Sequence, residues 1–562
     1  MSQLGGVPIL ILKEGSERSS GKDARSRNIM AIQAVAEAVK STLGPRGMDK
    51  MLVDSLGDIT ITNDGATILK NLDMEHPGAK MSVAVAKSQD ENVGDGTTSS
   101  VIIAGHLLTV ANDLMAQGIH PSVISRGFNY AGKKARDILK EMAQKIDPVK
   151  DKDILKKLAN TTMNSKNTGA GDKELLAEMA VDAFSKVAGD SNNMDKVKNI
   201  VVIKKKGKSI RESQIIDGVI LEKEPTHPLM PKLIKGAKIA LMAQSFEIKK
   251  TEFSSDLRIS TPDQIQAFLD QEETILKHFA DKLKTLGVNF VINQKGIEDT
   301  ASHYLNKYGI VAIKSLTKTD QEKLQKAIGG KIVENIDSLS AADLGQAEQV
   351  EFKKIAGDDL CFISGCKNPK AVSILLRAGI NSALDEAERT MHDALCVVAS
   401  AYDRSAIVGG GGAVEMELSQ RLLELAQKEK GKEQIAVESF ARALEIIPIT
   451  LAENAGIDPI DIVAKLRSAH AKKGNEFSGL EIFSGKVVDN RQSGVLEPVA
   501  NIDQIIKSAT ELSVMILRID DMIKAKSSPG GPGGPGGMPP GMGGMPPGMG
   551  GMGGMGGMPP MM

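Results

Sequence analysis

The sequence contains few of the residues that mark disulfide-rich, zinc-binding or nucleic-acid-binding proteins. Its 562 residues include three cysteines, no tryptophan and only 3% aromatic residues. Cys361, Cys366 and Cys396 form no Cys-x-x-Cys pair and accompany no His-x-x-x-His spacing, so we expect reduced thiols rather than a disulfide framework. Scarce aromatic residues leave few surfaces on which unpaired bases could stack. This composition disfavours nucleic acid as the main partner.

The sequence also lacks an excess of charge and a long apolar run near its start. Its 70 Lys and Arg residues balance 71 Asp and Glu residues, and the net charge of -1 gives no general attraction to nucleic acid or anionic membranes. The apolar run 7–12 contains Pro8 and is too short for a signal sequence or a membrane span. We therefore expect a cytoplasmic protein without a membrane partner, in which 7–12 forms an edge strand.

The common signatures of nucleotide and metal enzymes are missing too. We find no Walker-type Gly-x-x-x-x-Gly-Lys-Ser/Thr, no kinase or dinucleotide glycine pattern in a fitting context, no His-Glu-x-x-His and no Gly-x-Ser-x-Gly. A nucleotide site in this chain must therefore use a different arrangement.

What the chain does have is strong helical periodicity at both ends. A chain of this length predicts about three or four compact units. Apolar residues recur at helical spacing over 25–43 and again from 66 to about 145. Between them, strands are predicted at 50–53 and 58–62, closed by a turn at 63–65. From about residue 371 the pattern is again helical, apart from short strands near 481–488.

The middle of the chain has a different pattern. Between 218 and 365, short β-like runs alternate with amphipathic helices, which predicts an α/β domain inserted into a helical one. The segment 244–276 carries most of its apolar residues on one helical face. The strands and helices predicted in this region are 237–242, 289–292, 310–313, 281–286 and 298–308.

The last residues, from Ser527, are two serines followed only by glycine, proline and methionine. Such a segment cannot form a core, and we expect it to be flexible. Its methionines make it apolar all the same: Met538, Met542, Met545, Met549, Met552, Met555, Met558, Met561 and Met562.

Gly94-Asp95-Gly96-Thr97-Thr98 is the sharpest candidate for chemistry. It lies where one helix ends and another begins, and a helix N-terminus offers unpaired N–H groups and a positive dipole end to a phosphate. The glycines would let the backbone approach, the two threonines add hydroxyl donors, and Asp95 is an oxygen ligand suited to Mg²⁺. The alternative is an ordinary loop in which Asp95 or Thr97 caps the helix.

Four further features are ambiguous when taken singly. Leu43-Gly44-Pro45-Arg46-Gly47 fits a simple helix stop, and 63–65 fits a hairpin turn. Four consecutive glycines at 409–412 cost backbone entropy, which favours close approach of a ligand or another backbone. Asp393 reads by default as a solvated acid on a helix.

In combination these segments resemble one family, the archaeal-type group II chaperonins or thermosomes. Their order and spacing match over essentially the whole chain. The insertion at 244–276 and the blocks NQKGIED (293–299) and NTTMNSK (160–166) favour group II over the bacterial type. The family-like segments are TLGPRGMDKM (42–51), ITNDGATILK (61–70), VGDGTTS (93–99), HDAL (392–395), VGGGGAVEMEL (408–418) and NRQSGVLEP (490–498).

The resemblance implies a multidomain α and α/β chaperonin fold with a helical equatorial domain, a hinge-like intermediate domain and an inserted α/β apical domain. A helical lid protrusion is implied at about 244–276, which makes a separate cap protein unnecessary. The implied ranges are equatorial 1–146 and 404–526, intermediate 147–214 and 369–403, apical 215–368, and the tail 527–562.

The resemblance also assigns roles to residues. Asp64 and Asp393 would position and activate the attacking water, and Asp95 would bind Mg²⁺. Lys166 would sense the γ-phosphate, although the sequence departs from the family around 160–167. Glu497 would lie near the ribose. The other implied nucleotide-binding residues are Leu43, Gly44, Pro45, Gly96, Thr97, Thr98, Ser99, Gly410 and Gly411.

The implied function is ATP-driven folding of non-native proteins inside a stacked double ring. Each ring would hold eight or nine identical or paralogous subunits, with ATP and Mg²⁺ as cofactors. Ile265, Phe268 and Leu269 are candidate client contacts, or else contacts with the lid's own neighbours.

Three other functions remain open from the sequence. A small-molecule kinase would need a substrate pocket beside the phosphate site in a monomer or dimer. An assembly protein that has lost hydrolysis is disfavoured because Asp64, Asp95 and Asp393 are all present. A nucleic-acid scaffold is disfavoured by the charge balance and the few aromatic residues.

Overall fold

The structure is a computed structural model that describes residues 17–166, 170–189, 192–247, 262–366 and 372–524. These residues divide into two compact units. The predicted edge strand at 7–12 and the tail from Ser527 lie outside the described residues.

The N-terminal part is mainly helical, as predicted. Its elements in chain order are β1 (Glu17–Ser20), α1 (Gly21–Lys40), β2 (Lys50–Val53), β3 (Ile59–Thr62), α2 (Gly65–Asn71), α3 (Pro77–Val93), α4 (Thr97–Ala116), α5 (Pro121–Met142) and β4 (Gln144–Lys145).

The middle of the chain mixes strands and helices. Its first elements are α6 (Lys152–Met163), α7 (Ala170–Val187), α8 (Asn193–Val197), β5 (Ile200–Lys206) and β6 (Gln214–Ile216). There follow β7 (Gly218–Leu221), β8 (Leu233–Met242), α9 (Pro262–Thr285), β9 (Phe290–Asn293), α10 (Asp299–Lys307), β10 (Val311–Ile313), α11 (Lys318–Ile328), β11 (Ile332–Val333), β12 (Gly345–Ile355) and β13 (Asp358–Cys366).

The C-terminal part returns to helices. It contains β14 (Val372–Ala378), α12 (Asn381–Arg404), β15 (Ala406–Gly409), α13 (Ala413–Ala426), α14 (Lys432–Leu444), α15 (Ile446–Ala455), α16 (Pro459–His470), β16 (Ser478–Glu481), β17 (Lys486–Asp489), α17 (Asn490–Ser493), β18 (Leu496–Pro498), α18 (Val499–Leu517) and β19 (Asp521–Lys524). The smaller unit contains β1 and β19, which pair antiparallel, and the larger unit spans Gly21–Asp520.

Buried apolar side chains in the larger unit form separate clusters. The largest joins helices from both ends of the chain, with α4 and α18 at its centre. Within the described part of the chain, α4 is the one helix long and apolar enough to cross a membrane, and most of it is buried in this cluster. Its hydrophobicity therefore serves the core of a helical layer.

The predicted α/β region has its own sheet and its own apolar cluster. Seven strands pair in the order β10-β9-β8-β12-β13-β7, with β11 beside β8, and β8, β9 and β10 run parallel. The predicted helix at 281–286 is wrong as a separate element, because it is the end of the continuous helix α9. Phe246 stacks on Phe279 at 4.6 Å between ring centroids, which attaches α9 to the sheet.

The proposed lid segment is described only in part. Residues 248–261 lie outside the described residues, and so do the side chains of Ile265, Phe268 and Leu269 within α9. Farther along that helix, Leu276 and Phe279 are buried against the α/β cluster.

A third cluster lies among α6, α7, α12 and the sheet β5-β14-β6. The chain leaves the helical part at β4 and returns at β15, and these two strands pair directly, with Lys145 opposite Ala406. On its other side β15 pairs with β18, with Val408 opposite Glu497. Both connections therefore pass through one small sheet.

One local prediction needs correction. The predicted turn at 63–65 is a helix start, because Asp64 is the N-cap of α2 and its Oδ2 accepts from the Thr67 N–H at 2.8 Å. The hairpin turn lies before β3, where Asp54 Oδ1 accepts from the N–H groups of Leu56 and Asp58. The three cysteines are free, as expected.

Candidate functional site

The loop between α3 and α4 is built by two glycines. Gly94 ends α3 and Gly96 precedes α4, each with φ of +77°, a conformation that favours glycine. A β-carbon on Gly94 would come within 2.2 Å of Cys396 Cβ in α12. The capping interpretation is wrong, because the N-cap of α4 is Gly96 and no side chain caps this helix. The N–H groups of its first turn thus remain suited to an anion.

Asp95 is held rigidly between those glycines. Its Oδ1 accepts from the Gly96 N–H at 2.6 Å, and its Oδ2 accepts from Thr162 Oγ1 at 2.7 Å. Gln89 Nε2 donates to the Asp95 carbonyl at 2.8 Å and also to Asn501 Oδ1. A carboxylate fixed by hydrogen bonds in this way is preorganised for a cation or a phosphate-bound metal.

One cavity brings most of the predicted nucleotide-binding residues together. Its lining includes Leu43, Gly44, Pro45, Asp95, Gly96, Ser99, Gly411 and Glu497. Gly44 has φ of +84°, and a β-carbon there would lie 2.5 Å from Leu451 Cδ2. Gly411 has φ of +64° and passes close to the Leu480 carbonyl. The glycine-rich turns therefore let backbone form the cavity wall.

Several residues that line this cavity have no role predicted from the sequence. They are Thr161, Thr162, Asn164, Ser165, Gly412, Glu415, Ile447, Leu451, Leu480, Glu481, Ile482, Phe483, Val495 and Asn501. Thr162 and Glu415 belong to segments already singled out, NTTMNSK and VGGGGAVEMEL. Their position in those segments could have marked them as site residues. A sequence pattern does not show, however, which side chains face a cavity.

Three predicted residues support the cavity from outside its lining. A β-carbon on Gly410 would lie 3.0 Å from Glu497 Oε1, so this glycine makes room for the carboxyl. Thr97 and Thr98 lie against Gly65, with Thr98 Oγ1 2.5 Å from the position of a β-carbon there. The threonines thus bring the start of α2 to the start of α4.

Asp64, Lys166 and Asp393 form a buried charged cluster. Lys166 Nζ lies 3.0 Å from Asp393 Oδ2 and 3.6 Å from Asp64 Oδ1. Asp64 precedes α2, Lys166 follows α6, and Asp393 lies on α12, so three separate parts of the chain meet here. The prediction that the two carboxylates come together is consistent with this geometry.

The electrostatics of the two carboxyls differ. Burial opposes the charge of Asp64, but the Lys166 ammonium and the Thr67 N–H hold its pKa below the usual value. Burial raises the pKa of Asp393 well above its usual value, with Lys166 opposing that rise. Desolvation opposes the charge of Lys166 too, yet the two carboxylates raise its pKa and keep it an ammonium. The cluster therefore combines an ionised Asp64 and the Lys166 ammonium with an Asp393 carboxyl whose charge is disfavoured by burial.

A second cavity reaches the same carboxylates. Asp64 and Asp393 border it, together with Lys70, Lys87 and His392. Asp90 also lines it, and burial, followed by the nearby Asp64 charge, raises the pKa of Asp90. The two carboxyls thus border this second cavity, whereas neither of them lines the Asp95 cavity.

The residues fit a nucleotide with a phosphate-bound Mg²⁺. In the described ranges no cluster of three or more His, Cys, Asp or Glu side chains could hold a metal alone. Mg²⁺ in nucleotide sites commonly takes one or two carboxylates and completes its shell with phosphate oxygens and water. The single carboxylate of Asp95, beside the uncapped start of α4, meets that requirement.

Comparison with known proteins settles the family. The sequence profile of the TCP-1/cpn60 chaperonin family matches residues 35–527. The chain belongs to this family. Its members are ATP-hydrolysing chaperones that assist protein folding, and this is the function of the chain.

Several curated relatives match along nearly their whole length. Thermosome subunit beta of Thermococcus kodakarensis is 51% identical over 541 residues, covering 95% of this chain and 98% of the relative. Thermosome subunit beta of Archaeoglobus fulgidus is 49% identical over 544 residues, covering 96% and 99%. Thermosome subunit alpha of the same organism is 48% identical over 528 residues, covering 94% and 96%.

Proposed function

We propose that the chain is a subunit of a group II chaperonin ring that hydrolyses ATP in the Asp95 cavity when Asp393 is brought against it. The observation that carries this proposal is the shared contact of Asp64 and Asp393 with Lys166. Asp64 and Asp95 belong to the helical layer, whereas Asp393 lies on α12 in a different apolar cluster. Hydrolysis would then depend on how the two layers are arranged.

The phosphates would bind at the start of α4. Gly96 and Ser99 line the cavity there, together with Leu43, Gly44 and Pro45. Thr97 and Thr98 would add donors from the first turn of α4. Asp95 would hold Mg²⁺, which neutralises phosphate charge when it is bound. Gly410 and Gly411 would place backbone against the nucleoside, with Glu497 beside the ribose.

The attacking water would be held by Asp64 and Asp393. Phosphoryl transfer to water needs alignment and charge neutralisation more than covalent chemistry. The low pKa of Asp64 keeps it an acceptor, while Lys166 offsets negative charge beside it. Lys166 contacts both carboxylates that would hold the attacking water. Its ammonium would therefore lie near the terminal phosphate and respond to its presence.

The wider architecture follows the same proposal. The helical cluster would be the equatorial domain (1–146 and 404–526), the cluster around α6, α7 and α12 the intermediate domain (147–214 and 369–403), and the seven-stranded sheet the apical domain (215–368). The segment 244–276 would act as a built-in lid in place of a cap protein, and Ile265, Phe268 and Leu269 remain candidate client contacts.

A ring of like subunits is supported by the hairpin β2–β3. Met51 pairs with Ile61 and Val53 with Ile59, and all four side chains are at least half exposed on one face. Such an apolar face on a two-stranded sheet is a surface for a neighbouring protein. Relatives named alpha and beta subunits favour identical or paralogous neighbours, which we place in stacked rings of eight or nine in the cytoplasm.

Replacing Asp393 tests the proposal directly. Asp393→Ala should still bind ATP and assemble, but its turnover should fall by roughly 10²–10⁴, the range for a positioned acid–base group. ATP binding would be followed by calorimetry and hydrolysis by phosphate release from the purified assembly. Asp385→Asn is the matched control, because Asp385 lies on the same helix but pairs with Lys204 at 2.7 Å. Full hydrolysis by Asp393→Ala would exclude the assigned role.

A further inference from the structure

Two glutamates of the cavity, one buried and one partly buried, lie close enough for the charge of one to affect the other. Glu415 is the third residue of α13 and follows the glycine run, and Glu497 lies on β18; both line the cavity. Glu415 is 5% exposed, and its Oε2 is buried without a hydrogen-bond partner in the described structure. A buried carboxyl oxygen without a partner is costly, so a ligand that donates to it would be stabilised.

The charges around this pair restrict what the ligand can be. Burial raises the pKa of Glu415 to about 7, and burial, Glu415 and Asp95 together raise that of Glu497. Near neutral pH the pair can therefore offer both acceptors and a donor. An anionic phosphate would be repelled by ionised glutamates, whereas neutral O–H or N–H groups would be accepted. The pair must then face the nucleoside half of a bound nucleotide.

The remaining lining distinguishes ribose from base. Ile447, Leu451, Leu480 and Ile482 add apolar side chains to the cavity lining, which suits the flat base. The start of α4 takes the phosphates under the proposed function. The ribose joins base and phosphates, and its two neighbouring hydroxyls match a pair of carboxyls that can both accept and donate.

We infer that Glu415 is a specificity-determining residue that, together with Glu497, hydrogen-bonds the ribose hydroxyls of the nucleotide. The inference rests on the proposed nucleotide site and adds a residue to it. Glu415 would contact the sugar, and Gly412 sets the position of Glu415. A β-carbon on Gly412 would lie 2.6 Å from Pro448 Cβ, so α13 starts close against α15.

The test compares ligands as well as variants. Wild type, Glu415→Met and Glu415→Gln would be titrated as full-length assemblies with ADP, 2′-deoxy-ADP, 3′-deoxy-ADP and inosine diphosphate, each with Mg²⁺. Methionine keeps the length of the side chain but cannot hydrogen-bond the hydroxyl. Glu415→Met should weaken the binding of ADP by about 10-fold, which is the cost of losing one hydrogen bond to a partly charged group. The same substitution should weaken the binding of the deoxy analogue that lacks the contacted hydroxyl by less than about 2-fold, because that analogue has no hydrogen bond to lose. Glu415→Gln, which keeps an acceptor, should lose less for ADP.

The outcomes separate this inference from the proposed function. Unchanged ADP affinity in Glu415→Met, or an equal loss for ADP and both deoxy analogues, would overturn the ribose contact. If Glu415→Met weakened the binding of ADP but not that of inosine diphosphate, the carboxyl would contact the base. That result would also overturn the ribose contact. Failure of wild type to bind any of the four would reject the nucleotide site itself. If Glu415→Met does not assemble, the same comparison is made with Glu415→Leu, which also cannot hydrogen-bond the hydroxyl.

Discussion

At the scale of single residues, buried carboxyls in a binding cavity lower the stability of the fold when they are ionised. Glu415 is buried with a pKa raised to about 7, so its folded form binds a proton more tightly than the unfolded chain does. An acid with a raised folded pKa contributes stability while it is protonated. That contribution is lost as the pH rises from about 4.5 through 7.

Glu415→Gln should remove this pH dependence. Between pH 5.5 and 8.5, without nucleotide, the stability of wild type should fall relative to the variant by roughly 1–3 kcal/mol. Urea unfolding at several pH values would measure the difference. Glu424→Gln, at an exposed glutamate of the same helix, is the control and should parallel wild type. Parallel curves for wild type and Glu415→Gln would mean that Glu415 carries no buried proton.

At the scale of elements, the α3–α4 loop owes its shape to two different constraints on glycine. Gly94 has a left-handed backbone and also lies against Cys396, whereas Gly118, after α4, has φ of +83° and open space around it. Substitution at Gly118 therefore meets only backbone strain. Substitution at Gly94 meets backbone strain and a collision with the helix that carries Asp393.

Gly94→Ala and Gly118→Ala should consequently behave differently. Gly118→Ala should cost about 1–2 kcal/mol of stability, the usual cost of a left-handed alanine, and leave ATP hydrolysis unchanged. Gly94→Ala should cost a further 1–3 kcal/mol and reduce hydrolysis, because the loop or α12 must move. Thermal unfolding and steady-state ATPase assays would measure both. Equal effects of the two substitutions would contradict the packing explanation.

The sequence predicted elements better than it predicted which residues meet. Strand β2 has the predicted limits, and helix α1 was predicted over 25–43 but runs from Gly21 to Lys40. Both were found because a strand or helix is dictated by local spacing. The role of Asp64 as a helix cap was missed, since Asn-Asp-Gly fits a hairpin turn as well. The contact of Thr162 with Asp95 could not be predicted, because it joins residues 67 apart in sequence. Such contacts depend on how helices pack.

At the scale of the whole molecule, the proposed ring makes a prediction about mass. Two stacked rings of eight or nine chains of 59.7 kDa give a particle of roughly 1 MDa. Native mass spectrometry of the purified protein would resolve 16 from 18 copies. A monomer or dimer would contradict the proposed ring and remove the basis for hydrolysis coupled to ring closure.

The chain leaves and re-enters the helical layer through one small sheet. This connectivity suggests how the domains came to be joined in one chain. Lys145 and Ala406 are opposite neighbours on antiparallel strands. Everything between them, about 260 residues with two of the three larger apolar clusters, thus occupies the place of a hairpin turn. A two-residue turn could take that place without changing the strand pairing. This is the connectivity that a single genetic insertion into a compact helical ancestor would leave behind.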